Sequence, residues 1–189
     1  GLWDFTTLAN LYQDSAGTAP CTTVGQTIGL VLDTKNGTPQ LGPELVTNGD
    51  FSNGTTGWTG DGSLSCVSGS LKQTVSSISY PHIEQSNVAL TVGKTYKFCA
   101  DIETVIDPSS YLFTVNNNDT GAEIARSPTI QVGSTKTKIE LIWVATAGTA
   151  NIRIYNAHPN ITGDILFDNI SVRELPGNHL TQSTSTKRP

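Results

Sequence analysis

Two tyrosines, a histidine, a carboxylate, an amide and an arginine occupy one parity of three short segments with strand-like sequence. They are Tyr80, His82, Glu84, Asn116, Arg153 and Tyr155. Successive residues of a strand point to opposite faces, so these side chains are predicted to point outward. Aromatic rings suit the C–H surface of a sugar ring, and planar polar groups suit its hydroxyls. The set therefore predicts a shallow glycan-binding surface on one sheet.

The charges within this set bear on the kind of glycan. A carboxylate at Glu84 together with Arg153 suits amino or acidic sugars of a bacterial envelope better than plain cellulose or xylan. The alternative is ordinary sheet decoration, in which Arg153 and Glu84 form a cross-strand pair and bind no ligand.

Catalytic chemistry has little support in the sequence. Asp101 and Glu103 share one strand face, about 7 Å apart by strand geometry. Two like-charged residues on a wet face are usually a solvated surface rather than a glycosidase pair. The three histidines are scattered, and no nucleophile elbow, P-loop or His-Glu-x-x-His motif is present. We therefore expect a protein that is not an enzyme.

Apolar alternation broken every 8–12 residues by Gly, Pro or Asn predicts the elements that position these side chains. The clearest strands are Thr95–Thr104, Lys138–Ala145, Asn151–Ala157 and Ile165–Glu174. Weaker strands are predicted at Glu44–Asn48, Leu64–Val67, Leu71–Val75, His82–Ser86, Tyr111–Asn116 and Glu123–Arg126. This strand density predicts an all-β fold, a double-sheet antiparallel jelly-roll sandwich.

Parity within the predicted strands assigns the two faces. In Thr95–Thr104 the residues Tyr96, Phe98, Ala100 and Ile102 share the packed face. In Ile165–Glu174 the residues Leu166, Ile170 and Val172 fall on one parity. The same parity sends Ile83, Ile152 and Ile154 inward.

Composition excludes several classes of function. Charged residues are 14% of the chain and the net charge is −5, without a basic run, so we expect no nucleic-acid partner. No apolar stretch reaches the length of a membrane span, so no membrane insertion is expected. Cys21, Cys66 and Cys99 lack metal-ligand spacing. Free thiols, in keeping with assembly in a reducing cytoplasm, are the preferred interpretation, with one disulfide as the alternative.

The two ends differ from the strand-rich middle. Residues 1–40 form an irregular N-terminal arm, 41–175 the jelly roll and 176–189 a polar C-terminal tail. One short helical turn is predicted near Thr6–Tyr12. The arm is too small for a core of its own but is rich in large apolar residues, which predicts burial against a partner chain or a sibling copy. These partner-binding candidates are Trp3, Phe5, Leu8, Leu11 and Tyr12.

Three segments carry a family resemblance. ELVTNGDFSNGTTGW (residues 44–58), VALTVGKTYKF (88–98) and GDILFDNISVRE (163–174) occur in that order. Over residues 42–175 they resemble carbohydrate-binding modules of the CBM4/9/22-like type. The resemblance implies a structural calcium ion with Asp168 as one ligand, and no other cofactor. The usual carboxylate after Phe51 is replaced by Ser52, and Asp50 lies one residue away on the other face.

The flanks resemble a different family. Residues 1–37 and GNHLTQSTSTKRP (177–189) resemble two halves of a segment common in tailed-phage structural proteins. This implies that the jelly roll is inserted into a loop of a phage-type motif, which predicts that Gly37 and Gly177 lie close in space. The tail would then continue the motif that the N-terminal arm begins.

Together the two resemblances favour a non-enzymatic virion component, assembled in the bacterial cytoplasm. It would decorate the head or belong to the tail, bind other capsid or tail proteins and copies of itself, and present a surface to host-envelope glycans. Two alternatives stay open. One is a purely structural capsid or tail cement without sugar binding. The other is the accessory carbohydrate-binding module of a polysaccharide-degrading enzyme.

Overall fold

The computed structural model describes residues 5–14, 19–31, 41–104, 106, 110–175 and 180–181. Within these residues the chain is all-β, and its one helix is a single 3-10 turn at Leu8–Asn10, far too short to cross a membrane. The strands are β1 (Leu11–Tyr12), β2 (Leu30–Val31), β3 (Thr59–Gly60), β4 (Ser63–Val67), β5 (Ser70–Ile78), β6 (His82–Ala89), β7 (Thr95–Thr104), β8 (Ser110–Asn117), β9 (Glu123–Arg126), β10 (Ile130–Gln131), β11 (Thr137–Val144), β12 (Thr149–Asn156), β13 (Ile161–Glu174) and β14 (Leu180–Thr181).

Two antiparallel sheets form the sandwich. The six-stranded sheet has the order β10-β8-β12-β6-β3, with β9 beside β8, and the five-stranded sheet has the order β11-β7-β13-β5-β4. Their inward faces share one apolar core, in which the rings of Phe98 and Phe113 stack across the interface with centroids 4.0 Å apart. The predicted all-β jelly-roll sandwich is confirmed.

Strand β7 shows why the alternation was informative. Its residues Tyr96, Phe98, Ala100 and Ile102 are buried, while the residues between them are half-exposed. Each inward side chain adds apolar area removed from water, about 25 cal/mol per Å². A register slip of one residue would turn this whole set to solvent, so the pattern fixes the pairing of β7 in the middle of its sheet.

Strand β13 departs from simple alternation. Ile165 and Phe167 are buried, so Leu166 lies on the outer face, and the prediction that it shares a face with Val172 is wrong. A bulge interrupts the pairing with β7 after Asp168, and Asn169 there has a φ of 50°. One extra residue reverses the parity of all that follows.

The predicted opening strand Glu44–Asn48 is also wrong as a strand. Only Glu44 forms a ladder-type bridge, with Arg173 of β13, and the residues after it turn away. The backbone N–H of Gly42 donates to the carbonyl of Glu174, and that of Leu45 donates to Val172. The start of the jelly roll is therefore held along the end of its last long strand.

A small third sheet joins the two ends of the chain. Its order is β1-β2-β14, with Val31 of β2 opposite both Leu11 of β1 and Leu180 of β14. The predicted helix near Thr6–Tyr12 is only the 3-10 turn, and Leu11–Tyr12 is a strand. Gly37 and Gly177, whose proximity the inserted jelly roll predicts, lie outside the described residues.

The third sheet is covered on both sides by apolar residues. On one side Leu30 clusters with Ile142 and Leu175, which belong to the jelly roll. Ile142 is on the outer face of β11, because its neighbours in the strand lie in the main core. The small sheet thus sits against the outside of the five-stranded sheet.

Candidate functional site

Five of the six predicted glycan-binding residues stand on the outward face of the six-stranded sheet. Tyr155 of β12 lies opposite His82 of β6, and Arg153 lies opposite Glu84. Asn116 of β8 is on the same face, opposite the β12 residue Asn151. Inward burial of the isoleucines between them confirms the predicted parity, with Ile83, Ile152 and Ile154 each at most 1% exposed. The sixth residue, Tyr80, precedes β6 and is 53% exposed.

Arg153 links its two neighbours on this face. Its Nε donates to Glu84 Oε2, and its Nη1 donates to the hydroxyl of Tyr155 at 3.1 Å. Burial alone lowers the pKa of Arg153, but the hydrogen bonds to Glu84 and Tyr155 outweigh burial and raise it. The cross-strand pair of Arg153 and Glu84 that was the alternative to ligand binding is therefore formed.

His82 holds the other side of Tyr155. The two rings stack with centroids 5.0 Å apart and an interplanar angle of 29°. Asp61, in the loop between β3 and β4, fixes His82 twice, because its Oδ2 lies 2.7 Å from Nδ1 and accepts the backbone N–H at 3.0 Å. The ring of Tyr155 is thus held by a stacked neighbour and by a hydrogen bond at its hydroxyl.

A cleft of about 500 Å³ opens beside Tyr155, over β8 and β9. Its lining is Tyr80, Leu112, Thr114, Asn116, Glu123, Arg126, Tyr155, Asn156 and Ala157. Of the predicted set, Tyr80, Asn116 and Tyr155 line this cleft. The other three do not line it: His82 and Glu84 lie on β6, on the other side of β12 from the cleft, and Arg153 lies two residues from Tyr155 along β12.

Strand β9 supplies a wall that sequence reasoning missed. Arg126 lies opposite Thr114 of β8, and Glu123 opposite Asn116. Arg126 donates from Nε and Nη2 to the carboxylate of Glu123, and this hydrogen bonding raises the pKa of Arg126. The segment was predicted as a strand, but nothing in its sequence tells which strand it joins.

The cleft combines apolar and hydrogen-bonding groups in a shallow site. Tyr80 and Tyr155 offer rings, and Leu112 and Ala157 offer aliphatic surface. At the floor lie Thr114 and Asn116 of β8, whose hydroxyl and amide oxygens are buried and have no hydrogen-bond partner among the described residues. Asn116 is oriented by a bond from its Nδ2 to the carbonyl of Gly121, at 3.3 Å. Such a mixture can hold the apolar face of a ring while bonding its polar edge.

The residues around Asp168 do not fit a calcium ion. Lys136 Nζ lies 2.7 Å from Asp168 Oδ2, and the other carboxylate oxygen accepts the backbone N–H of Asn169 at 2.8 Å. Asp50, near the opening motif, accepts hydrogen bonds from the hydroxyl and the N–H of Ser52. No cluster of three or more His, Cys, Asp or Glu suitable for a metal occurs in the described part of the chain. The Lys136 ammonium is the counter-ion of the Asp168 carboxylate in this structure.

The carboxylates weighed as a catalytic pair lie on the outer face of the five-stranded sheet. Asp101 accepts a hydrogen bond from Asn169 Nδ2 at 2.8 Å. Nearby, Glu140 pairs with Lys97 and Lys138. Burial raises the pKa of Glu140, but those two lysines more than compensate and lower it overall. The described part of this face around Glu140 is an ion-paired surface.

The predicted partner-binding residues of the arm divide into two groups. Leu11 is 3% exposed and clusters with Val31, and Tyr12 packs against the Leu30 cluster, so both are used within the chain. Phe5 is 54% exposed, and Leu8 lies beside it in a second, mostly apolar groove of about 500 Å³. Trp3 lies outside the described residues.

The three cysteines are distributed between the arm and the jelly roll. Cys21, Cys66 and Cys99 are all free. Burial raises the pKa of the Cys21 thiol, and burial is also the main cause of the raised pKa of Cys99. Neither thiol is therefore activated as a nucleophile.

Comparison with solved structures identifies the fold. A family 4 carbohydrate-binding module superposes with a TM-score of 0.56 at 14% identity, covering 68% of this chain and 99% of that one. A xylan-binding family 22 module of Xyn10C from Paenibacillus barcinonensis gives 0.59 at 17% identity, covering 75% of this chain and 100% of the module. The chain has the jelly roll of carbohydrate-binding modules.

A phage protein has the same fold in part. The enzymatically active domain of tailspike protein 4 from bacteriophage CBA120 superposes with a TM-score of 0.54 at 18% identity. The match covers 69% of this chain but 21% of that one. No protein-family model and no curated protein sequence matches the chain.

Proposed function

We propose that the protein is a non-catalytic glycan-binding component of a tailed-phage or phage-like particle. The observation that carries the glycan part is the Tyr155 ring, which stands at the edge of a shallow cleft with its hydroxyl and one face already bonded. A ring held in this way is a ready stacking surface for a sugar.

The cleft and the fold support the same proposal. Exposed Tyr80 and half-buried Tyr155 lie beside Thr114 and Asn116 in one depression. Solved structures of similar fold include modules described as carbohydrate-binding and xylan-binding. Fold similarity at this sequence identity does not identify a ligand, so the cleft is the main support for glycan binding.

Binding is favoured over hydrolysis by the state of the carboxylates. Glu84 is paired with Arg153, and Glu123 is paired with Arg126. Asp61, at the edge of this face, is paired with His82. A glycosidase needs one carboxylic acid that holds a proton for the leaving group. A carboxylate bonded to a guanidinium is an acceptor and is unsuited to that task.

The particle part of the proposal is supported by the two ends of the chain. Their sequences resemble a phage structural segment, and strands β2 and β14 from the two ends pair directly. We propose that these ends attach the protein to the head or tail and to sibling copies, with exposed Phe5 and its groove as one contact.

Glycan binding is tested with the purified protein on a glycan array and on whole bacterial cells. Tyr80→Ala and Tyr155→Ala should each weaken binding about tenfold through lost stacking. Phe5→Ala is the matched control, because Phe5 is 54% exposed against 53% for Tyr80 but lies in the arm. Single-site affinity is expected at about 10⁻³ to 10⁻⁵ M, raised roughly 10²–10⁴-fold by display in many copies.

Particle attachment is tested separately. Deletion of residues 1–12 should abolish incorporation into particles while the jelly roll stays folded, as measured by mass spectrometry of purified particles and by circular dichroism. Normal incorporation would contradict the role of the arm. Binding of no glycan by the wild type, with normal incorporation, would instead favour a structural cement.

An accessory module of a polysaccharide-degrading enzyme is the second candidate. It is favoured by the similar family 22 module, which belongs to Xyn10C. That function requires plant-type polysaccharide binding and a catalytic domain in the same gene product. The glycan array separates the two candidates, because binding to xylan or cellulose and not to bacterial envelope glycans would support the enzyme module.

A further inference from the structure

We infer that four of the polar residues on the glycan face act as a clamp that positions Tyr155, and that the site takes an uncharged saccharide on the opposite side of this ring. The clamp consists of Asp61, His82, Glu84 and Arg153. This inference rests on the proposed glycan binding and deepens it, because it separates positioning residues from ligand contacts and names the class of sugar.

The position of the clamp relative to the cleft carries the inference. None of its four members lines the cleft, whereas Tyr155 does. The register explains this arrangement: Tyr155 lies between His82 of β6 on one side and Leu112 of β8 on the other. Leu112 lines the cleft, so the ring separates His82 from the ligand side. Arg153 lies two residues along β12, opposite Thr114, and is turned to Glu84 and to the Tyr155 hydroxyl rather than into the cleft lining.

Two contacts restrict the Tyr155 ring from behind. The ring face meets His82, at 5.0 Å between centroids, and the hydroxyl accepts a bond from Arg153 Nη1 at 3.1 Å. Each partner is itself fixed by a carboxylate, Asp61 for the histidine and Glu84 for the arginine. An ordered side chain loses less entropy when a ligand binds, so the clamp contributes affinity without touching the sugar.

The charges explain the preference for an uncharged sugar. Each arginine of this face is bonded to a carboxylate, Arg153 to Glu84 and Arg126 to Glu123. The third carboxylate, Asp61, is paired with His82. Arg126 and Glu123 both line the cleft, so an acidic sugar would have to compete with Glu123 for the guanidinium, and an amino sugar with Arg126 for the carboxylate. This inference differs from the charged sugars expected from the sequence, and the array described below distinguishes the two.

The clamp is tested by a double-mutant cycle on the best neutral oligosaccharide of the array, measured by titration calorimetry. Glu84→Gln with Arg153→Met removes both charges together, so that neither is left unpaired. We expect this pair to weaken binding about three- to tenfold, and Tyr155→Phe to weaken it similarly. Adding Tyr155→Phe to the pair should cause no further loss, because both changes remove one contact. Thermal unfolding of every variant checks the fold.

If the loss of affinity in the triple variant were the product of the losses in Tyr155→Phe and in the Glu84→Gln, Arg153→Met pair, the inference would be overturned, because Arg153 would then contact the sugar directly. Unchanged affinity in the Glu84→Gln, Arg153→Met pair would overturn it as well, because the ring would then need no clamp. A wild type that binds no saccharide contradicts the proposed function itself and is distinguished from both results by the missing signal.

The sugar class is tested on an array that pairs each neutral oligosaccharide with its uronic-acid and amino-sugar counterparts. Neutral members should bind about two- to fivefold better than charged ones, because the charged groups of the cleft form an exposed pair. The affinity for neutral members should change less than about twofold between about 0.05 and 0.5 M NaCl, because a neutral sugar forms no ion pair with the protein. Preference for a uronic acid with steep salt dependence would overturn the assignment.

Discussion

Glu44 connects the entry of the jelly roll to its last long strand, and its replacement by alanine should destabilise the whole sandwich. Its Oε1 accepts the backbone N–H of Val172 at 2.7 Å and those of the two residues that follow Glu44. Its Oε2 accepts hydrogen bonds from the hydroxyl of Ser171 at 2.6 Å and from Arg173 Nε at 3.0 Å. The Glu44 carboxylate thus binds this segment to β13 where no regular strand pairing is formed.

The magnitude follows from these bonds and from their exposure. A hydrogen bond to a charged group contributes roughly 1.5–3 kcal/mol when buried. The Glu44 side chain is 30% exposed, so water compensates for much of the loss, except at the part-buried N–H groups of Val46 and Val172. We expect Glu44→Ala to lower the free energy of unfolding by about 2 kcal/mol and Tm by about 4–8 °C for a chain of this size.

Urea unfolding followed by tryptophan fluorescence measures this change, because Trp58 and Trp143 are both buried in the core. Glu103→Ala is the control, since Glu103 lies on β7 of the five-stranded sheet and forms no hydrogen bond or close ion pair with the described residues, although its charge acts on Lys136. A Glu44→Ala protein within about 0.5 kcal/mol of the control would refute the argument, since surface substitutions commonly fall within that range.

Three further predictions concern stability. Gly62→Ala should cost at least about 2 kcal/mol more in urea unfolding than Gly69→Ala, because both have positive φ but only at Gly62 would a Cβ lie 2.3 Å from the carbonyl oxygen of Thr74; equal losses would contradict this. Hydrogen bonds from Thr74 and then Lys72 lower the pKa of Asp164. The free energy of unfolding of the wild type should therefore exceed that of Asp164→Asn by about 0.5 kcal/mol at neutral pH, and this difference should disappear as the pH falls below about 4. A difference that grows in acid would contradict the lowered pKa. Neither EDTA nor calcium chloride should shift Tm by more than about 1 °C, because the Asp168 carboxylate already binds an ammonium; a clear rise with calcium would show that the ion binds.

The sandwich could be predicted because its strands alternate cleanly. The prediction of Thr95–Thr104 agrees with β7 at both ends, and that of Glu123–Arg126 agrees with β9. The alternation of these strands reflects which side chains are buried, because a register slip of one residue would expose Phe98 and Ile102 to solvent. The outward parity of Arg153 and Tyr155 followed from the same rule.

What could not be predicted depends on backbone conformation and strand order. Asn tolerates a positive φ better than most residues, but its presence at position 169 does not by itself announce a bulge, and this bulge puts Leu166 and Val172 on opposite faces. Strand order likewise decides that Tyr155 has His82 on one side and the cleft on the other. Parity assigns a residue to a face, but only the pairing of strands tells which of its neighbours it touches.

The two ends of the chain and the candidate glycan face lie on opposite sides of the sandwich. Leu30, in the sheet that joins the ends, packs with Ile142 on the outer face of the five-stranded sheet. Tyr155 lies on the outer face of the six-stranded sheet. Outward faces of two packed sheets point away from each other, so a protein held by its ends leaves the cleft open to solvent. The proposed attachment and the proposed glycan binding would therefore use separate surfaces, so a variant that loses one should leave the other measurable.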